Sequence, residues 1–427
     1  MTADSSRWNW SHTHRYTARR LLRPTTADEL AAMVTASAAI KPLGTAHSFS
    51  DVADTTGDQV TVADLPRRVE IDRTAGTATV SAGLRYAEIA PEIQAAGFAL
   101  PALASLPHVS VAGACATATH GSGIGIGNLS SQVSALEFVD GLGRVRRLDR
   151  RTDPERFPGA VVGLGALGLV TAVTLDLVPT FDIAQRVFLD LPAARLTDRL
   201  HEIFSAAYSV SCFTRWRADT VDQVWFKALA ADPPPPEDLL AGAREAPGDV
   251  HPVPGAEAGP CTPQGGQPGP WHERLPHFRA GFLPSFGDEI QTEFFVDVAA
   301  APDAIRALIG VGERIDAALR VSEIRYVAGD DLWLSPAYGR DVVALHFTWT
   351  SDIPVVLAAV GEVERTLAPF DPVPHWGKVF TLDPATFVHR YPRLADFASL
   401  AREYDPDLRF QGALTKRLTA LAGGRGR

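Results

Sequence analysis

Lysine is nearly absent from this chain of 427 residues: only Lys41, Lys227, Lys378 and Lys416 occur. Acidic side chains outnumber basic ones, 50 to 40, for a net charge of −10. That balance argues against nucleic acid or an anionic membrane as the main partner. Cysteine is scarce too. Cys115, Cys212 and Cys261 are odd in number and widely spaced. This excludes a disulfide framework or a zinc motif and favours a reducing compartment. The first twenty residues hold no apolar core and no cleavage pattern, so a cytoplasmic protein is expected. Long apolar runs are missing as well. The best membrane-span candidate, GAVVGLGALGLVTAVTLDLV (159–178), is broken by glycines and ends in alternation. It reads as a buried turn followed by a strand.

What remains is ordinary globular material, 46% hydrophobic and long enough for two domains. Thr26 and Glu29 form a capping-box pattern ahead of an amphipathic helix, LAAMVTASAAI. Alternation on both sides of TAG predicts a hairpin over 67–83. A helix ending near Gly97 follows, and a second hairpin over 135–149 turns at Asp140-Gly141. LVTAVTLDLVP (169–179) reads as a strand closing this unit. Residues 231–270 are too rich in proline and glycine for one regular element, and they predict a long surface excursion. Around it, DQVWFKAL, EIQTEFFVDV, VSEIRYVAG and DVVALHFTWT alternate. They predict an antiparallel sheet covered by a helix, AIRALIGVGERIDAAL.

Two glycine clusters compete for a phosphate-binding role. GLGALG (163–168) fits the dinucleotide spacing, but a β-alternating segment follows it where a helix is required. A tight buried turn is the better reading. The second cluster, SVAGACATATHGSGIGIGN (110–128), sets glycines among Ala, Ser and Thr. Small residues admit a ligand close to the backbone, and successive N–H groups form an anion nest without lysine. A loop with no ligand is the plainer alternative. A similar small-residue loop, PLGTAHSFSDV (42–52), carries one imidazole, His47. The two loops together suit the two ends of one diphosphate cofactor.

These segments resemble the FAD-binding half of the vanillyl-alcohol-oxidase type of flavoprotein. PGPWHERLPHFRAGF, SEIRYVAGDDLWLSPAYGRDVVALHFTW, PHWGKVF and YPRLADFASLAREYDP further resemble the alditol oxidases, xylitol and sorbitol oxidases among them. The likeness runs in order along nearly the whole chain. It implies an α+β, two-domain fold of the FAD-binding PCMH/VAO type. An FAD domain (1–178) is followed by a substrate-binding cap with an antiparallel sheet (179–374) and by a tail that returns to the FAD domain (375–427). It also implies FAD joined covalently through His47. The cofactor would be held by Pro42, Leu43, Gly44, Thr45, Ala46, Ser48, Ser105, Ser110, Gly113, Thr117, Ala118, Thr119, His120, Gly121, Val170 and His375.

By the same resemblance, Ser105, Glu323, Arg325, His346, Thr348 and Lys378 bind the polyol. Ser105, Glu323, Arg325 and Lys378 carry the catalysis: hydride transfer from the terminal carbinol to flavin N5, with dioxygen reduced to hydrogen peroxide. A monomer without metal is expected. The chain departs from the family at Ala46, where glycine is usual before the flavin histidine. It departs again at Gly412, where the family shows Phe-x-Asn and this chain reads FQG. The longer 231–250 region is expected to lie outside the site.

The residues also bear on the chemistry by themselves. Glu323 and Arg325 are two apart, as are His346 and Thr348, so on strands each pair shares a face. A carboxylate accepts and a guanidinium donates, which suits neighbouring hydroxyls. Taken alone, the Glu323/Arg325 pair reads better as a solvated strand face with a weak ion pair. Lys378 has a similar reading as a surface lysine, although its neighbours PHWG and VF are not a surface composition. An aldonolactone oxidase or dehydrogenase on the same fold and a flavin-binding protein without catalysis are the other readings. WHERLPH lacks the spacing of a zinc helix, which leaves His272 and His277 to core or capping roles.

Overall fold

Alternating polarity builds two sheet systems, described in a computed structural model over residues 7–217, 219–282 and 288–423. The N-terminal part opens with a small parallel sheet in which Asp58–Val60 lies between Arg20–Leu22 and Ile40–Pro42. The helix Ala27–Ala36 connects two of these strands. Its cap is half of the expected box. Thr26 Oγ1 accepts from Glu29 N at 3.1 Å, but the Glu29 carboxylate reaches one residue further back, to the N–H and hydroxyl of Thr25.

An antiparallel five-stranded sheet follows. Its spatial order is Val69–Asp72, Thr77–Ser81, Leu169–Asp176, Val133–Val139, Val145–Asp149. The strand expected to close the unit, Leu169–Asp176, therefore runs through its centre. Both hairpins form, but the second does not turn on Asp140-Gly141 alone. Asp140 N donates to Arg144 O, Gly143 takes the positive φ (74°), and the Asp140 carboxylate accepts from Leu142 N and Arg144 N. An aspartate that bonds its own loop amides stabilises the longer turn. GLGALG is a turn with positive φ at Leu164 and Gly165, leading straight into the central strand. The 110–128 cluster is not all loop: Val111–Ala116 is a short helix.

The four alternating segments beyond residue 179 all become antiparallel strands of one nine-stranded sheet, three of them adjacent and the fourth one strand away. Thr220–Leu229, Ser209–Thr214, Leu319–Val327, Val342–Trp349 and Ile290–Asp297 lie side by side in that order, with Asp182–Pro192 outside the first. One face carries Ile324, Leu345, Phe347 and Phe294, buried against the helices Ala301–Ile309 and Ile353–Leu367. The expected single covering helix is broken after Ile309 and resumes as Gly312–Ile315. Gly312 sits so close to the Trp216 carbonyl that a β-carbon would stand 2.0 Å from its oxygen. The excursion over 231–270 holds two short strands, Arg244–Glu245 and Pro268–Pro270, both paired with Asp182–Pro192.

The tail runs back to the first part of the chain. Gly141 N donates to Tyr404 O and Ile40 N to Arg409 O, each at 2.8 Å. The three thiols are buried and unpaired. Among the described residues no helix is long and apolar enough to cross a membrane.

Candidate active site

The polar face of the large sheet looks across a cavity of about 340 Å³ at the small-residue loops of the N-terminal part. Strand register builds the cap-side wall. Glu323 pairs with His346, and His346 with Glu293, so three ionisable side chains form one row across three strands. Gln291 pairs with Thr348 in the neighbouring row. Arg325, two residues from Glu323, completes the wall. Its guanidinium donates to Glu293 (3.2 Å), to Ser105 Oγ (3.3 Å) and to the His120 carbonyl (3.2 Å). Glu323 lies 3.4 Å from Arg325 Nε, and its Oε1 accepts from His277 Nε2 at 2.7 Å. From the tail, Lys378 reaches Gln291 Oε1, the same oxygen that His346 Nε2 faces at 3.2 Å.

Burial and pairing together set the charges. Burial raises the Glu323 carboxyl, yet Arg325 and His277 overcome this and hold it well below the ordinary range. Glu293 behaves alike, through His120 and then Arg325. Burial lowers His346 to about 3, with Lys378 adding to the effect. It also lowers His375 to about 3, against the pull of Glu293. Both rings are therefore neutral near pH 7. Burial likewise lowers Lys378, opposed by Glu293. The wall thus combines two carboxylates, a fixed guanidinium, neutral imidazoles and an amine whose charge is disfavoured.

On the opposite side, Thr45 Oγ1 accepts from Ser110 N (3.2 Å) and lies 3.0 Å from His47 Nδ1. This joins the two small-residue loops. Burial, then His108, lowers His47 to about 4, which leaves a neutral imidazole able to act as a nucleophile. Trp10 stacks on His47 with centroids 5.1 Å apart, and its backbone N–H donates to the Ala46 carbonyl. Ala46 has φ 59°, a left-handed conformation that glycine adopts without cost. Gly44 and Gly113 both press on Ser110: a β-carbon on either would stand 2.4 or 2.7 Å from its Oγ. Closely packed small residues, backbone amides and the hydroxyls of Thr45, Ser48, Ser110, Thr117 and Thr119 fit a diphosphate cofactor held without lysine.

Of the residues singled out from the sequence, all but two line this cavity. Ala118 is buried in the core at φ 53°. Gly121 packs on Leu103, whose carbonyl oxygen a β-carbon would meet at 2.7 Å. Both serve the turn that delivers Thr119 and His120. His277 is not the core or capping residue expected; it is a wall residue bonded to Glu323. Residues 231–250 do not reach the cavity, but His251, Pro252 and Val253 do. Sequence reasoning also passes over Trp10, Glu289, Gln291 and Glu293. The last three obey the same every-second-residue rule as Glu323 and Arg325, so their signal is present in EIQTEFF. Gly412 lies behind the cavity. A β-carbon there would stand 2.9 Å from Asp54 O and 3.1 Å from Lys41, which itself holds the Leu164 carbonyl at 2.7 Å.

Fold and site define a two-domain flavoprotein. Residues 18–149 match the FAD binding domain family, and residues 288–418 match the D-arabinono-1,4-lactone oxidase family. Cholesterol oxidase from B. sterolicum superposes with a TM-score of 0.73 over 96% of both chains, at 15% identity. An alditol oxidase of a Streptomyces species is 47% identical over 96% of this chain and 98% of its own. An L-gulono-1,4-lactone dehydrogenase of Mycobacterium tuberculosis is 28% identical over the same shares. The chain belongs to the alditol oxidase family, with the lactone enzymes as more distant relatives on the same fold.

The strain at Ala46 has a measurable consequence. A left-handed alanine costs about 1–2 kcal/mol, and glycine returns part of that through its freer unfolded chain. Ala46→Gly is expected to raise unfolding free energy by about 0.5–1 kcal/mol in denaturant titration.

Proposed function

We propose that this protein oxidises the terminal primary hydroxyl of alditols such as xylitol and sorbitol to the aldose, with dioxygen reduced to hydrogen peroxide. The observation that carries this reading is the convergence of Ser105, Glu323, Arg325, His346, Thr348 and Lys378 on one cavity. That donor and acceptor set matches a row of hydroxyls. FAD, when bound, would supply the hydride acceptor and the two-electron chemistry by which dioxygen is reduced. The segments at 42–48 and 110–120, with Val170 and His375, would hold it, and His47 would be the residue to join it covalently. The enzyme acts as a monomer in the cytoplasm.

The side chains divide the remaining work. Glu323 accepts from a substrate hydroxyl, while Ser105 and Thr348 fix the neighbouring ones, which lowers the entropic part of the barrier. Arg325 cannot give up its proton, so it stabilises the developing alkoxide by charge. Lys378 Nζ takes the hydroxyl proton, because burial already disfavours its ammonium form. His346, neutral and tied to Gln291, completes the polar wall.

The lactone oxidase match over residues 288–418 favours a second reading, oxidation of an aldonolactone. Anaerobic mixing of the holoenzyme with a panel of polyols and lactones separates the two. Xylitol or sorbitol should bleach the flavin, and admitting air should restore it with one peroxide per sugar. Bleaching by gulono-lactone alone would overturn the alditol reading. The reduction rate should rise with pH as Lys378 Nζ loses its proton, levelling off below the pH of an ordinary lysine. Lys378→Met should lower that rate by roughly 10²-fold and flatten the profile. A wild-type rate in this variant would remove Lys378 from the proton step. Acid-precipitated wild-type protein should stay yellow, whereas His47→Ala should release its flavin on denaturation.

A further inference from the structure

We propose that His277 is a positioning residue that presents Glu323 to the polyol: it engages one carboxylate oxygen and leaves the other to accept from a substrate hydroxyl. This rests on the alditol reading above. Glu323 Oε1 takes the His277 contact at 2.7 Å and lies nearest Arg325 Nε at 3.4 Å. No described residue hydrogen-bonds Oε2, in a side chain that lines the cavity. The carboxylate only accepts, so His277 Nε2 carries the hydrogen and Nδ1 is bare. Nδ1 is buried and has no hydrogen-bond partner. Glu323 is therefore the one polar partner of this ring among the described residues. A residue needed for packing alone would be better supplied by phenylalanine. The ring already stands edge-on to Phe213 and Trp225, at 5.4 and 5.2 Å between centroids.

The backbone around His277 extends its reach. The N–H groups of His277 and Phe278 both donate to the Ser105 carbonyl, at 3.1 and 3.3 Å. The segment thus fixes the serine that Arg325 touches as well as the glutamate. It is braced from behind by Lys227, whose ammonium donates to the carbonyls of Arg274, Leu275 and Pro276 at 2.6, 2.8 and 2.9 Å. Thr262 Oγ1 adds a bond to Pro276 O at 2.7 Å. Lys227 is wholly buried, and all three of its hydrogens go to this one turn. Without the His277 hydrogen bond, the Glu323 carboxylate is free to turn onto Arg325. Both groups would then be taken from the substrate together.

Stopped-flow reduction of the holoenzyme by xylitol under anaerobic conditions tests this, comparing wild type, His277→Phe and His277→Gln. Phenylalanine keeps the aromatic slot filled and removes only the donor; glutamine restores a donor of similar reach. The expected result is a rise of roughly tenfold or more in the xylitol dissociation constant for His277→Phe. The limiting reduction rate should change less, and His277→Gln should recover most of the affinity. An unchanged dissociation constant in His277→Phe would overturn the proposal. So would a glutamine variant as weak as the phenylalanine one, since packing would then be the cause. Failure of the alditol reading looks different: xylitol would not reduce the wild-type flavin at all.

Discussion

A buried guanidinium is among the groups that join the two halves of this molecule. Arg325 stands on a cap strand, yet it donates to Ser105 Oγ and the His120 carbonyl from the N-terminal part as well as to Glu293 from its own sheet. A charge at 6% exposure persists only when its field is matched; here both terminal nitrogens find acceptors, while the buried Nε makes no hydrogen bond and has only the ion-pair contact with Glu323. Two carboxylates, Glu293 and Glu323, provide the match. In turn each is held by an imidazole, His120 or His277. Remove the guanidinium and two buried carboxylates lose a cationic partner while the domain junction loses one of its bridges. The rest of the site is arranged around this need.

The arrangement also explains why so many ionisable groups share one small space without strong mutual repulsion. Burial keeps His346 and His375 neutral, which leaves Arg325 as the permanent cation of the wall. Lys378 is then free to change its charge during turnover, because the nearby field does not depend on it alone. On the other side, neutral amides and hydroxyls replace the lysines that many phosphate sites use. A chain with four lysines, two of them wholly buried and spent on backbone carbonyls, has few others to offer.

Much of this is legible in the amino-acid sequence alone. Period-two alternation identifies the cap strands and puts Glu323 with Arg325, and His346 with Thr348, on common faces. The strand that follows GLGALG, where a helix would be required, argues against the Rossmann dinucleotide motif there. What is not legible comes from contacts distant in sequence. His277 meets Glu323 across 46 positions, and nothing local in WHERLPH announces it. Trp10 covers His47 from a segment with no regular pattern. Gln291 and Glu293 are legible in principle, but an alternating Glu or Gln is by itself an ordinary solvent-facing residue. The Asp140 loop and the break before Gly312 depend on side-chain and backbone contacts that propensity does not encode.

The central claim is that the fork of Arg325, bridging both domains, stabilises charge developing on the substrate oxygen. Arg325→Lys keeps a cation at this position and removes the planar fork. The decisive measurement is the rate of anaerobic flavin reduction by saturating xylitol in that variant, with flavin content checked by absorbance. The account predicts full flavin occupancy with reduction slowed by about 10²-fold or more. A lysine variant that reduces its flavin at the wild-type rate would contradict it.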